Sequence, residues 1–282
     1  MLTVHNFSYG LLTPVLGYLM SCLGSFLGLR CTARARASTG PARLRWLLIA
    51  SVAIGITGVW VMHFIAMLGF TIPGKMILYN VPITLGSMLT AVIFVFIGLA
   101  TVGFGKATVR SLLISGLLTG FGVAAMHYTG MAAMEMPGRI TYDPVLFGLS
   151  IVIAIVAATA ALWAALRLRG VAATLGAALI MGIAVSGMHY TGMAAMHVWP
   201  ARSMAMTGVT AEEFLLPLII GVSVITFVLT ATIALSPTEE EINAEAELMR
   251  RIENARAQAQ VPAEQEPAVT ASVWERRRNR PA

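Results

Sequence analysis

The chain has 282 residues, of which 57% are apolar and only 11% are charged, and its mean hydropathy is +0.80. Soluble domains carry about 25% charged residues, so the composition excludes an ordinary soluble protein and predicts an integral membrane protein. The net charge of +6 indicates membrane topology rather than nucleic-acid binding, because the basic residues flank apolar runs.

Seven apolar runs are long enough to cross a bilayer as helices, since a span needs about 20 residues. Backbone in lipid must satisfy its hydrogen bonds internally, and no run alternates as a strand would. The predicted fold class is therefore all-α, a seven-transmembrane helical bundle. In chain order the predicted spans are residues 9–29, 46–70, 82–104, 109–134, 145–168, 171–196 and 213–235.

The basic residues predict the orientation of the bundle. All but three of the 19 Lys and Arg residues follow an odd-numbered span or lie in the C-terminal segment; the three are Lys75, Arg139 and Arg202. Because positive charge is retained on the cytoplasmic side, we expect the N-terminus outside and the C-terminus in the cytoplasm. The predicted location is the bacterial inner (plasma) membrane, with several passes.

A change of composition divides the chain into two predicted regions. Residues 1–236 form the membrane domain, and residues 237–282 are expected to form a short cytoplasmic helix followed by a disordered tail from about Gln258. About 46 residues are too few for a kinase or cyclase domain. We therefore expect a separate cytoplasmic signalling protein as partner.

A nine-residue segment, MHYTGMAAM, occurs at 126–134 and again at 188–196, and a related segment, MHFIAMLGF, occurs at 62–70. These copies place His63, His127 and His189 at intervals of 64 and 62 residues. Each histidine falls on an even-numbered span, at a similar depth in the outer half of the bilayer. A histidine inside a membrane needs a partner, so three at one depth predict a shared polar or metal site.

Methionines accompany the histidines at helical spacing. Positions four and seven residues after a histidine return to nearly the same face of a helix. Imidazole together with thioether favours copper, especially Cu(I), whereas core packing is the other interpretation of the methionines. The candidate metal ligands are His63, His127, His189, Met62, Met67, Met126, Met131, Met134, Met188, Met193 and Met196.

Hydroxyl groups follow the histidines in the two intact copies. Tyr128, Thr129, Tyr190 and Thr191 could hold the second ring nitrogen of a histidine and support the cofactor site in that way. Hydrogen bonding between helices is the other interpretation. The first copy has Phe64 and Ile65 at these positions.

Polar residues near the predicted outer mouth differ between the copies. Glu135 and His197 stand eight residues after their histidines, and His5 lies on the predicted external N-terminal segment. They could bind a metal near the surface or pass it inward. Solvated helix ends are the simpler interpretation.

The triplicated motif, with MHYT intact at 126–129 and 188–191 and altered to MHFI at 62–65, resembles the MHYT family of bacterial integral membrane sensor domains. The resemblance implies a seven-helix module that binds copper through the motif residues Met62, His63, Met126, His127, Met188 and His189. It also implies sensing of a diatomic gas such as oxygen, carbon monoxide or nitric oxide.

The leading hypothesis is thus a non-enzymatic copper-binding membrane sensor with a gas reaching it from the outer side and without its own output domain. The alternatives are a protein for copper transport or delivery, and a heme-binding redox protein with histidine axial ligands. Catalysis has little support, because no nucleophile, base and orienting group occur together and no phosphate-binding loop is present in the sequence. We expect no nucleic-acid partner.

Overall fold

A computed structural model describes residues 2–105, 108–201, 208–237 and 239–260. Most of these residues are helical. The helices are α1 (Leu12–Ala37), α2 (Gly40–Val52), a π-helical segment (Ala53–Trp60), α3 (Val61–Leu68), α4 (Val81–Phe104), α5 (Val109–Ala132), α6 (Pro144–Arg167), α7 (Val171–Ala194), α8 (Ala211–Leu235) and α9 (Glu239–Gln260).

The predicted seven-span helical fold is confirmed. Seven helices are long and apolar enough to cross a membrane, and they coincide with the seven apolar runs. The second span, Gly40–Leu68, joins α2, the π-helical segment and α3 into one rod. A π-helical insertion of this kind often lies beside a functional site, and this one ends three residues before His63.

Local signals set where the spans begin. Asn80, Thr108 and Asp143 each accept a hydrogen bond from a backbone N–H in the first turn of the following helix. Thr210 and Glu213 form a reciprocal capping box at the start of α8. These caps satisfy N–H groups that have no partner within the helix.

Six spans form a closed ring in which each packs against the next along the chain, and α7 packs against α1. The even-numbered spans also contact one another: α7 contacts α3 and α5, and α5 contacts the π-helical segment. The seventh span packs outside the ring on α1 and the π-helical segment, and only 6% of its apolar window is buried, against 78% for the second span. The even-numbered spans therefore meet within the ring, and the second is the most deeply buried of the seven.

Short strands cover the end of the bundle that carries the motifs: β1 (Leu78–Tyr79), β2 (Met134–Glu135), β3 (Gly138–Tyr142), β4 (Met196–Pro200) and β5 (Val209–Thr210). Strand β1 pairs antiparallel with β2 and β5, and β3 pairs with β4. The prediction that spans continue to residues 70, 134 and 196 was wrong, because the helices end at Leu68, Ala132 and Ala194.

Arginines cap helix ends at the opposite face of the bundle. Arg34, only 2% exposed, donates to the carbonyl oxygens of Ile233 (2.7 Å) and Pro237 (3.1 Å) at the end of α8. Arg36 donates to Leu168 after α6, and Arg43 to Gly103 in α4. Guanidinium groups complement the partial negative charge at helix C-termini. The basic residues that predicted the topology thus also join the ends of different spans to one another.

The chain divides into two compact units, one ending at Pro237 and the other containing α9. Helix α9 is polar and carries a Glu247–Arg251 ion pair four residues apart. Residues 258–260 belong to this helix, and the remainder of the segment predicted to be disordered, residues 261–282, lies outside the described residues.

Candidate metal centre in the bundle core

The three motif histidines meet inside the ring. His63 lies on α3, His127 on α5 and His189 on α7, and their exposed fractions are 2%, 0% and 0%. The Nδ1 atom of His63 lies 3.0 Å from Nδ1 of His127 and 3.1 Å from Nδ1 of His189. The predicted convergence of three separate helices on one site is therefore present, and we name these residues the histidine triad.

The other ring nitrogen of each histidine points away from the triad. In the described part of the chain none of the three Nε2 atoms has a hydrogen-bond partner. A Cβ atom added at Gly130 would stand 2.3 Å from Nε2 of His63, and one added at Gly192 would stand 2.3 Å from Nε2 of His127. Each of these two imidazoles therefore rests on a glycine of the next motif helix.

This glycine occupies the same place in both intact motifs, three residues after the histidine. The first copy has Ala66 there, buried to 2% exposure. The sequence analysis missed the role of these glycines, although their repetition beside the histidine was visible. A side chain at Gly130 or Gly192 would have to displace an imidazole ring, so the glycines set where the rings stand.

The histidine triad lies between two layers of repeated residues. Four residues before the histidines stand Val59, Val123 and Val185, and four residues after them stand Met67, Met131 and Met193. The valines line a cavity, whereas the methionines belong to a buried cluster with Phe64 and Tyr79. One helical turn separates each layer from the histidines, so the copies stack their side chains in register.

The remaining predicted methionine ligands fall into two groups. Met134 and Met196 belong to the same buried cluster as Phe64 and Tyr79, which we name the outer cluster, but they lie on β2 and β4 rather than on the helices. The prediction of one continuous helical stripe through them was therefore wrong, because the helices end two residues earlier and the chain pairs as strands. Met126 and Met188 pack in the inner core cluster, and Met62 is buried beside Gly17.

The hydroxyl groups do not hold the imidazoles. Tyr128 pairs with Ser150 at 2.6 Å, and the Thr191 hydroxyl donates to the carbonyl of Gly187 at 2.7 Å. The Tyr190 hydroxyl is buried without a partner in the described structure, and Thr129 lies half-buried on α5. The expected hydrogen bonds from Tyr128 and Thr191 to the second ring nitrogen were wrong, because each hydroxyl has a nearer acceptor outside the triad.

The polar residues at the strand end of the bundle lie apart from the histidine triad. Glu135 accepts a hydrogen bond from Asn80, and His197 on β4 lies opposite Thr141 on β3. His5 forms an isolated antiparallel β-bridge with Thr71. Burial raises the pKa of Tyr79, and burial together with Tyr128 raises that of Tyr142 to about 12. Both phenols are therefore neutral at physiological pH.

The geometry of the histidine triad fits a bound transition metal. The ligand atoms lie within 4.8 Å of one another. Two nitrogens bound to one metal at about 2.0 Å in tetrahedral geometry would be about 3.3 Å apart, close to the 3.0 and 3.1 Å found here. Three buried histidines inside a membrane need a partner, and an ion bound through the converging Nδ1 atoms would supply one.

Six apolar spans in a ring, a seventh packed outside it and a histidine on each even-numbered span define a multi-pass membrane module. A family model described as a bacterial signalling protein N-terminal repeat, MHYT, matches residues 55–116, 120–178 and 182–242. These matches cover more than half of the chain, and the chain belongs to this family of membrane sensor domains. Its location is the bacterial inner membrane, as predicted.

Relatives share this region within longer proteins. The chain is 42% identical over 193 residues to the bifunctional diguanylate cyclase/cyclic di-GMP phosphodiesterase MucR of Pseudomonas aeruginosa, covering 67% of the chain and 28% of MucR. It is 37% identical over 199 residues to the cyclic di-GMP phosphodiesterase NbdA of the same organism, covering 68% of the chain and 25% of NbdA. A signalling protein of Caulobacter vibrioides is 34% identical, covering 83% of the chain and 29% of that protein.

The chain therefore spans between a quarter and a third of the length of these relatives. No solved structure matches it significantly.

Proposed function

We propose that this module binds copper at the histidine triad and senses a diatomic gas there, as a membrane sensor for a signalling protein. The observation that carries the proposal is the convergence of three buried Nδ1 atoms, 3.0 and 3.1 Å apart, from three repeated helices. Three imidazoles around one ion leave a further coordination position, which a small ligand can take. The ion supplies the affinity for the gas.

Charge favours copper in its reduced state. The triad consists of neutral donors, and among the described residues no carboxylate or thiol joins the three histidines. An uncompensated charge in a low-dielectric interior is expensive, and the cost rises with the square of that charge. Burying a monovalent ion therefore costs less free energy than burying a divalent one, which favours Cu(I) over Zn²⁺. Thioethers nearby favour the same ion.

The methionine layer above the triad is the proposed second source of ligands. Met67, Met131 and Met193 lie one turn from the histidines and are at most 3% exposed. Met62, Met126 and Met188 adjoin the histidines in sequence, and Met134 and Met196 extend the outer cluster. Movement of a thioether toward or away from the ion would change how α3, α5 and α7 pack against one another. Such a change is what a sensor can transmit.

The proposed path of the signal runs through the end of α8. Helix α1 packs against α7 and α3, which carry two of the histidines, and its Arg34 holds the carbonyl end of α8. The segment that follows α8 leads toward α9. We propose a cyclic di-GMP enzyme as the responding protein or region, because the names of MucR and NbdA describe such enzymes, and we assign no catalysis to the module itself.

Two alternatives fit the geometry less well. Copper transport needs ligands leading away from the site, but the layer below the triad consists of Val59, Val123 and Val185. Heme held by two histidines needs their nitrogens about 4 Å apart, twice a metal–nitrogen bond of about 2.0 Å, with a porphyrin between them. The observed separations of 3.0 and 3.1 Å leave no room for a porphyrin between the rings.

The proposal is tested by infrared spectroscopy of the copper-loaded, reduced protein under carbon monoxide. We expect the stretching band of bound carbon monoxide in the wild-type protein and its loss in His127→Ala. The control is Tyr128→Phe, which removes the phenol hydroxyl that hydrogen-bonds to Ser150 and leaves the triad intact. A copper-loaded protein that shows no such band would contradict gas binding at this site.

A further inference from the structure

An apolar cavity of about 60 Å³ lies directly beneath the histidine triad. Its upper end is lined by Val59, Val123 and Val185, the three residues that stand four positions before the histidines. Met188, which adjoins His189 in sequence, also lines it. Four helical residues correspond to about 6 Å along the axis, so the cavity lies one turn from the rings on the side opposite the methionine layer.

The lining excludes water. The polar residue that lines the cavity is Thr119, and its hydroxyl is already donated to the carbonyl oxygen of Phe94 at 3.3 Å. A cavity needs about 10–15 Å³ to admit a water, yet apolar cavities stay dry because water finds no partners there. The cavity is therefore large enough for a small molecule, and its lining suits an apolar molecule rather than water.

The cavity exists because helix α6 presents alanines to it. Ala157, Ala158 and Ala161 lie three, four and seven residues after Ala154, so the four alanines share one face of the helix. Larger side chains at these positions would fill the space that remains between α6 and the other helices around the cavity. The alanine face thus keeps open a volume that close packing would otherwise remove.

One side of the cavity reaches the lipid. The lining residues that are partly exposed all lie on the neighbouring helices α6 and α7: Ala157, Ala161, Ala184 and Val185. Lining residues on the π-helical segment, α4 and α5 are buried. The exposed part of the lining therefore faces the bilayer between α6 and α7, and apolar gases concentrate in the hydrocarbon core there relative to water.

The other side of the triad is closed. Phe64, Met67, Met131 and Tyr79 are each at most 2% exposed and form a continuous buried cluster there. Strands cover the helix ends beyond them. A gas arriving from the outer aqueous side, as the sequence analysis expected, would have to pass through this packed layer.

We propose that the cavity is a binding site for a small apolar gas molecule, loaded sideways from the bilayer between α6 and α7. This proposal rests on the proposed function for the identity of the gas, because the gas in the cavity is the one that we propose binds at the triad. The structure of the site itself, however, depends on neither copper nor the histidines.

The test uses xenon as an apolar probe and the copper-free protein in a lipid environment. We expect xenon in the cavity of the wild-type protein, found by diffraction under xenon pressure or by ¹²⁹Xe magnetic resonance. Ala158→Leu, which fills the cavity, should abolish this binding. Ala160→Leu should retain it, because Ala160 is exposed on the lipid side of the same helix. Ala154→Val is a milder filling variant if Ala158→Leu does not fold.

Absence of xenon from the wild-type cavity, or its retention in both filling variants, would overturn the proposal. Delivery is measured separately, as the rate of carbon monoxide association with the reduced copper-loaded protein. We expect at least a tenfold slower rate in Ala158→Leu at unchanged copper content, and an unchanged rate would overturn delivery through the cavity. Xenon binding in a protein that takes up no copper would refute the proposed sensor function while supporting the cavity site.

Discussion

The Nε2 atom of His127 rests on Gly192 of the next motif helix, where an added Cβ atom would stand 2.3 Å away. The same relationship joins His63 to Gly130. Each intact motif thus supplies one histidine of the triad and, three residues later, the glycine on which another copy's imidazole lies. Because ring positions depend on contacts between copies, the site requires all three motif helices to pack together.

The glycine relationship predicts that Gly192→Ala displaces His127 without removing any ligand. We expect Cu(I) affinity to fall about 10- to 100-fold, the range found when groups that orient metal ligands are changed. Competition with a Cu(I) chelator measures it. The matched control is Gly187→Ala on the same helix, where an added Cβ atom meets nothing within 4 Å. Equal affinities in the two variants would show that the ring does not depend on this contact.

The triad is expected to reduce the stability of the copper-free protein. Replacing His63, His127 and His189 together by leucine removes three buried imidazoles whose Nε2 atoms have no partner, together with the Nδ1 contacts between them. Replacing every partner of a buried polar cluster by apolar side chains is nearly neutral or stabilising, by about 1–3 kcal/mol for each unsatisfied group removed, so without copper the melting temperature should stay the same or rise. Adding copper should raise the melting temperature of the wild type only. A large loss of stability in the copper-free triple-leucine variant would show that the histidines hold the fold.

The methionine layer is expected to affect the ion more than the fold. Met131→Leu conserves volume in a buried position and should cost less than about 1.5 kcal/mol of unfolding free energy. If the thioether supports the ion, the variant should bind Cu(I) more weakly while its Cu(II) affinity changes little. Titration of both oxidation states makes this comparison. An unchanged ratio of the two affinities would assign Met131 to packing alone.

Arg34 is expected to fix the end of the seventh span. Its guanidinium is 2% exposed, donates to several carbonyls after α8 and lies over Trp46 at 5.5 Å. Arg34→Lys cannot make the same forked contacts and should destabilise the protein by about 2 kcal/mol, with faster proteolysis near Ser236. The control is Arg45→Lys, since Arg45 is exposed. Identical digestion of the two variants would refute the role of Arg34.

Much of the fold follows from hydropathy. Seven apolar runs and three equivalent histidines were predicted because span length and helical repetition depend on local sequence. The π-helical segment before His63 was not predicted, because such an insertion reflects packing rather than residue propensity. The outer position of α8 was also missed, since its hydropathy resembles that of the other spans and only contacts distinguish it.

The candidate site was predicted in part for similar reasons. Helical spacing found Met131 and Met193, but it carried the stripe on to Met134 and Met196, beyond the helix ends, where strand pairing takes over. The symmetry of the motifs did not indicate the role of Gly130 and Gly192, because contact between copies cannot be read from one copy. His63 lies in the altered copy of the motif, yet its Nδ1 contacts Nδ1 of both other histidines.

The most direct measurement of the central claim is the copper content of the purified protein after growth with copper. We predict about one copper for each chain in the wild type, in keeping with three ligands that converge on one point, and loss of that copper when His63, His127 and His189 are all replaced by alanine. Tyr128→Phe should keep the wild-type content. A wild-type protein without copper, or a triple variant that retains it, would contradict the account.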